Sequence, residues 1–355
     1  MKPQELEKGS VVDGELPMGC RHCAEGSKMV LLVTGRCKGE CWYCPLSEKK
    51  KDRSVVYADE KKVESESEII EEALAIGATG TGITGGDPLT TEETLKYIEL
   101  LKGEFGEDHH IHLYTQTTDL DHILTLERAG LDEIRFHPPV ESWENIEETA
   151  YPSLLKELKD KSELSVGLEI PSVPGKKEET IHLLKELEDL VEFVNLNELE
   201  FSSTNTEELK ERGYRHKSDV SSAVRESEEL ALELLDIDFN ADLHYCSLAF
   251  KDGVQLTNRL RRRAKNTARP SDMITEEGTL LRGIIESKDA EKLCEDLKEK
   301  YDVEEGAIWY DEKNDRVVCA IDILKEICPA LEEECFGVEI YPTSDELEVE
   351  RWPLD

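Results

Sequence analysis

Three cysteines, Cys37, Cys41 and Cys44, are separated by three and then two residues within Gly35-Arg-Cys-Lys-Gly-Glu-Cys-Trp-Tyr-Cys-Pro45. Thiols this close in one short loop can converge on a single metal centre, so the fold must present the loop around it. Four cysteines would close a [4Fe-4S] cluster, one thiolate to each iron. Three leave one iron open, and an open coordination position is what separates catalytic from structural metal sites. A zinc loop is the other reading of the triplet, although zinc sites usually bring a second ligand pair at some distance.

The rest of the chain has the material for a large domain and a smaller one. It has 355 residues, of which 38% are apolar, enough to build a core. No apolar run approaches the ~20 residues needed to span a bilayer. Met1 to Gly14 is charged and carries no apolar signal segment, so a cytoplasmic location is expected. The formal charge is −38, mostly from glutamate spread along the whole chain. Such a surface suits the salty interior of an archaeal-type host, or is an ordinary set of solvated acidic helix faces. Either way, polyanions are repelled except at local basic sites. Ten cysteines without an export signal argue for metal binding or free thiols over disulfides.

From Lys28 onward, strand and helix patterns alternate. Met29–Val33 is a continuous apolar run, as in a strand buried on both faces. Ser65 to Glu68 reads as a capping box opening a helix that stops at Gly77. Further strands are expected at 79–84, 110–115, 133–137, 164–170 and 193–199, with a last candidate at 239–245 after a helix near 220–235. Repeated β–α units of this length imply parallel strands and right-handed crossovers. The expectation is a partial (β/α)6 TIM-like barrel over 28–250, with function on the loops after the strands. Residues 1–27 form an N-terminal segment with a CxxC pair, and 251–272 a basic linker. Residues 273–355 follow a β-α-β-β-α-β order, the pattern of an α+β ferredoxin-like domain.

Gly85-Gly-Asp-Pro88 comes directly after the second strand, on the same rim as the cysteine loop. Its glycines permit a close backbone approach, and Asp87 can accept hydrogen bonds from a cationic amine. Together, the cysteine triplet, Tyr43 before its last cysteine, and this turn in the right strand order resemble the radical S-adenosylmethionine (SAM) superfamily. The turn is similar to that family's GGEP motif, which holds the amino group of SAM, with aspartate in place of glutamate. Cys-Trp-Tyr-Cys-Pro and Gly167-Leu-Glu-Ile-Pro171 look closest to the pyruvate formate-lyase activating enzyme branch. The resemblance covers about Lys28 to Tyr245. It implies a [4Fe-4S] cluster on Cys37, Cys41 and Cys44 with SAM bound at the open iron. It further implies one-electron cleavage of SAM to a 5′-deoxyadenosyl radical that abstracts hydrogen from a substrate. Tyr43, Gly85, Gly86, Asp87, Pro88, Glu169 and Asn197 are the candidate cofactor contacts, with Thr115, Gln116, His137 and Asn195 also at strand ends. A reduced ferredoxin or flavodoxin would supply the electron.

Cys20 and Cys23 form half of a zinc or auxiliary iron–sulfur site, with Cys246, His22 and His244 available to complete it. Cys294, Cys319, Cys328 and Cys335 have no ligand spacing and read as buried structural thiols. Between Lys251 and Arg269 lie seven basic residues and one acidic one. That strip suits phosphate, and hence RNA, or serves as an internal partner for glutamates. The leading expectation is a radical SAM enzyme acting on an unidentified substrate, with RNA or a protein in view. The alternatives are activation of a glycyl-radical enzyme and a non-catalytic scaffold holding structural zinc.

Overall fold

Strands form where the sequence is apolar on both faces. In the computed structural model, which describes residues 3–301, 303 and 306–354, Lys28–Thr34 (β1) is buried along nearly its whole length. It pairs in parallel with Gly80–Gly85 (β2), and the series continues through His110–Thr115 (β3) and Glu133–Phe136 (β4). Ser165–Ser172 (β5), Phe193–Glu198 (β6) and Asp242–Cys246 (β7) complete it, each beside its predecessor and parallel to it. The expected large parallel sheet is therefore present, in sequential strand order, as a partial barrel requires. It has seven parallel strands among the described residues: the six expected ones and the last candidate at 239–245, which forms over Asp242–Cys246. Short antiparallel strands flank both edges: Val11–Asp13 beside β7, and Val56–Ala58 beside β1.

Local signals set the helix limits. The helix Glu66–Ile76 opens with Glu68 reaching back to the amides of Glu64 (2.6 Å) and Ser65 (3.3 Å). It is followed by Gly77 at φ +61°. Leu120–Arg128 is capped by Asp119, whose carboxylate accepts from the amide of His122 at 3.1 Å.

Two elements differ from expectation. The helix placed near 220–235 begins only at Ser227, because Glu226 sits in the left-handed region at φ +71°. Before it, Ser221–Val224 pairs with His216–Ser218 as a hairpin. The segment 251–272 is not an extended linker: Lys251–Leu256 is π-helical and Thr257–Thr267 is α-helical. The chain divides into two compact units at Leu256/Thr257, with Leu74–Gly77 grouped with the second.

In the second unit the elements run Leu280–Glu286, Ala290–Tyr301, Ile308–Asp311, Arg316–Cys319, Ile321–Ile327 and Glu334–Ile340. That is the expected β-α-β-β-α-β order, and the sheet is antiparallel throughout, with Leu280–Glu286 between Arg316–Cys319 and Glu334–Ile340. A further edge strand, Glu348–Pro353, was not foreseen. Cys294, Cys319, Cys328 and Cys335 are buried in this unit's core with Ile285, Leu297 and Leu324.

Candidate functional site

β1 ends at Thr34, and the cysteine loop leaves from there. The base of that loop is pinned by the turn after β2. The amide of Gly86 donates to the Thr34 carbonyl at 2.7 Å, and the amide of Asp87 to the Arg36 carbonyl at 2.8 Å. A Cβ on Gly85 would lie 2.4 Å from the Thr34 oxygen, and one on Gly86 2.2 Å from the Arg36 oxygen. These two positions must be glycine for the backbones to meet.

The Asp87 carboxylate is buried and has four protein donors. Oδ1 accepts from the Leu89 amide (3.0 Å) and the Thr115 hydroxyl (2.7 Å). Oδ2 accepts from the Gln116 amide (3.2 Å) and the Thr117 hydroxyl (2.9 Å). A carboxylate has about four acceptor sites, so this one is saturated. Its side chain thus ties the turn after β2 to the one after β3. The free acceptor for a cationic amine that the sequence suggested is not found there. Pro88 starts the next turn, and its carbonyl accepts from the Thr94 hydroxyl at 2.6 Å.

The three thiols of the loop are free and half-buried. Cys41 Sγ accepts from Gln116 Nε2 at 3.0 Å, and Cys37 Sγ from the Gly39 amide at 3.2 Å. The buried Tyr43 hydroxyl meets His137 Nε2 at 2.9 Å, while His137 Nδ1 faces the Glu169 carbonyl at 2.6 Å. Since a carbonyl only accepts, His137 carries its proton on Nδ1, and the tyrosine donates to Nε2. Burial raises the Cys37 thiol pKa, opposed by the Gly39 amide. Burial also pushes the Cys41 thiol up, but its polar surroundings, including the hydrogen bond from Gln116, more than offset this and leave the thiol below its ordinary value. Cys41 is therefore prepared to ligate as thiolate. Among the described residues, no three His, Cys, Asp or Glu side chains are gathered as one metal ion would require. Each thiolate of a [4Fe-4S] cluster binds a different iron, so a cluster accepts thiols spread more widely than a single ion does.

The far end of the loop is held from beyond β6. Asn205 Nδ2 donates to the Tyr43 carbonyl (3.0 Å), and the Thr204 hydroxyl to the carbonyls of Cys44 (3.2 Å) and Leu46 (2.7 Å). Trp42 stacks on Tyr214 at 5.6 Å. Thr117, Thr204 and Asn205 were not singled out from sequence. Their one signal is position, in loops following strands.

Glu169 and Asn197 belong to a buried network inside the sheet's curve. Glu169 Oε1 accepts from Asn195 and Asn197, both at 2.6 Å, and Oε2 from Arg135 at 2.8 Å. Burial disfavours its charge, but Arg135 and these amides hold its pKa below the ordinary carboxylate value. The helix Met18–Ala24 packs against the same network, with the Gly19 amide donating to Glu133 at 3.1 Å.

Cys20, Cys23 and Cys246 lie in one region but share no ligand geometry. Cys20 faces Asn195 Oδ1 at 3.8 Å, and the Gln255 amide lies between Cys23 (2.9 Å) and Cys246 (3.5 Å). Burial pushes the Cys20 and Cys246 thiols up to about 11 and about 12. Gln255 thus links Cys23 and Cys246 by hydrogen bonds to both thiols. His22 lies with Ser27 and Thr79 (3.1 and 3.0 Å), and His244 with Asn195. Two cations of the basic strip are engaged by carbonyls: Arg261 Nε donates to that of Glu276 at 2.5 Å, and the buried Arg263 to that of Pro342.

The radical SAM superfamily profile matches residues 31–161, and a family described as a domain of unknown function matches 278–354. A Methanocaldococcus jannaschii protein, provisionally named a glycyl-radical enzyme activating enzyme, is 40% identical over 370 residues, covering 100% of this chain and 97% of that protein. The crystal structure of methylornithine synthase aligns with a TM-score of 0.40 at 16% identity, over 61% of this chain and 66% of that one. The chain belongs to the radical SAM superfamily. It is accordingly a radical SAM enzyme, and the superfamily implies a [4Fe-4S] cluster and SAM. That sets aside the non-catalytic zinc scaffold. Among the described residues, no helix is long and apolar enough to cross a membrane.

Proposed function

We propose that this protein is an activating enzyme that uses Cys37, Cys41 and Cys44 to hold a [4Fe-4S] cluster and installs a radical on a glycine of a partner enzyme. The observation that carries the reading is 40% identity over the whole chain to a protein of that provisional name. Engagement of Arg261 and Arg263 by carbonyls weakens the competing reading, RNA modification, which drew on those cations.

When bound, the cluster and SAM supply the one-electron cleavage that yields the hydrogen-abstracting radical. The chain's own residues do the positioning. The Gly85–Asp87 backbone fixes the start of the cysteine loop, and Thr204 and Asn205 fix its end. The Gln116 amide stabilises Cys41 as thiolate, and the Tyr43–His137 pair holds the loop against β5. With the Asp87 side chain saturated, the turn's contribution to an amine is through its backbone. Glu169 and Asn197 support the site by keeping the Arg135 network closed. The appended β-α-β-β-α-β unit is read as a ferredoxin-like module for recognising the partner protein.

The test is anaerobic incubation of reconstituted protein with SAM, a reductant and a glycyl-radical enzyme from the same host. A glycine-centred doublet in the electron paramagnetic resonance spectrum supports the reading. Full SAM cleavage with no such doublet, but with hydrogen abstraction from an RNA, overturns it.

A further inference from the structure

The segment after β1 carries the opposite charge to the rest of the chain. Between Arg36 and Lys62 stand eight Lys or Arg against five Asp or Glu, in a protein whose formal charge is −38. The reversal is centred on the turn Lys49-Lys-Lys-Asp-Arg53, which is fixed to the cysteine loop. The Gly35 amide donates to the Arg53 carbonyl at 2.8 Å, and the Asp52 amide to the Gly35 carbonyl at 2.9 Å. A Cβ on Gly35 would fall 1.6 Å from the Lys50 carbonyl oxygen. The anchor point is thus two residues before Cys37.

Side chains of this turn border a shallow groove of about 310 Å³, lined by Glu48, Lys49, Arg53, Val55, Tyr57 and Lys62. Lys61 and Lys62 reach Glu68 (3.3 Å) and Glu64 (3.6 Å). Among the described residues, no ion pair joins Lys49, Lys51 or Arg53 to a carboxylate. These cations therefore present their field outward. An acidic protein approaching a chain of the same sign is repelled over most of the surface and steered to this face.

The proposed function needs one electron delivered to the iron–sulfur centre, by a carrier whose own redox group comes close to the cysteine loop. We propose that the groove lined by Lys49 and Arg53, with Lys51 on the same turn, is the docking site of a small, acidic one-electron carrier protein. This rests on the functional reading above. The carrier loses one electron and the cluster gains it, with no bond made or broken. The groove is anchored beside Cys37, so the docked carrier lies next to the centre it reduces.

The test uses the full chain with its cluster reconstituted, and a triple variant, Lys49→Glu with Lys51→Glu and Arg53→Glu. Iron content and the spectrum after dithionite reduction establish that the variant folds and loads. Cluster bleaching is then followed by stopped flow after mixing with reduced flavodoxin, an acidic flavin carrier. At low ionic strength the variant's rate is expected to fall roughly ten-fold or more, with dithionite reduction unchanged. Added salt should slow the wild type and speed the charge-reversed variant, by screening its repulsion of the carrier. The corresponding triple glutamine variant should fall in between. Equal flavodoxin rates and salt slopes in all three proteins overturn the proposal, as does RNA binding lost on charge reversal while flavodoxin reduction is unaffected. A wild-type chain that takes up no iron overturns the functional reading and the docking site with it, and its missing visible absorbance identifies that case.

Discussion

The main-chain amide of Asp87 donates to the carbonyl of Arg36 at 2.8 Å, joining the turn after β2 to the base of the cysteine loop. Two motifs some fifty residues apart in sequence are thus one rigid piece of backbone. The position of the thiols then depends on a contact that tolerates no side chain at residue 86. Replacing Gly86 by alanine places a Cβ 2.2 Å from the Arg36 oxygen. The expected cost is about 1–3 kcal/mol of stability, with the displaced loop binding less iron. Thermal unfolding together with iron and sulfide analysis measures both; a variant with unchanged melting and full iron contradicts the account.

Gln116 donates to Cys41 Sγ at 3.0 Å. Hydrogen bonds to a cluster's sulfurs stabilise its more reduced, more negative state. Gln116→Leu should therefore lower the cluster's reduction potential, by roughly 40 mV if the bond contributes about 1 kcal/mol differentially. A redox titration monitored by electron paramagnetic resonance reads this directly. An upward shift, or none, would show that the amide does not act on the cluster.

Arg135 is buried between Glu133 (2.5 Å) and Glu169 (2.8 Å). Removing the cation leaves two carboxylates uncompensated away from water. Arg135→Met should cost about 3–5 kcal/mol, seen in chemical denaturation. The double variant that also carries Glu169→Gln should recover part of the loss, since one stranded charge is gone. A single variant within 1 kcal/mol of wild type, a margin typical of exposed pairs, would contradict the buried network.

How much of this was legible in sequence differs from part to part. The triplet and Gly-Gly-Asp-Pro were visible because each is a local pattern dictated by backbone or ligand chemistry. The parallel sheet was visible through runs such as Met29–Val33, and the capping box at Ser65 to Glu68 located its helix. The role of Asp87 was not, because its four donors come from Leu89 and from Thr115, Gln116 and Thr117, which reach it only after β2 and β3 pair. Thr204 and Asn205 were hidden for the same reason, being brought to Tyr43 and Cys44 by the closing of the sheet. The hairpin before Ser227 escaped because a left-handed Glu226 has no strong residue signature. The proximity of Cys20 and Cys23 to Cys246 was foreseen, but not the Gln255 amide that lies between Cys23 and Cys246.

Burial lowers the His244 pKa from 6.5 to about 4, opposed by Glu169, and lowers that of His112 well below 6.5. The folded state thus keeps these imidazoles neutral, while the unfolded chain takes up protons first as pH falls. Their contribution is complete above pH 6.5 and drains away as pH falls towards 4. For His244 alone the loss is on the order of 3 kcal/mol. Denaturation midpoints should be nearly flat just above pH 6.5 and decline steadily below it; a protein that gains stability over that interval contradicts the neutral assignment.

The most direct measurement is SAM turnover by the anaerobically reconstituted chain under strong reduction, with 5′-deoxyadenosine and methionine quantified. The account predicts both products in equal amounts, and their loss when Cys37, Cys41 or Cys44 is changed to serine, with Cys20→Ser and Cys23→Ser retaining activity. A protein that loads iron fully yet cleaves no SAM, or one whose cleavage survives Cys41→Ser, would contradict it.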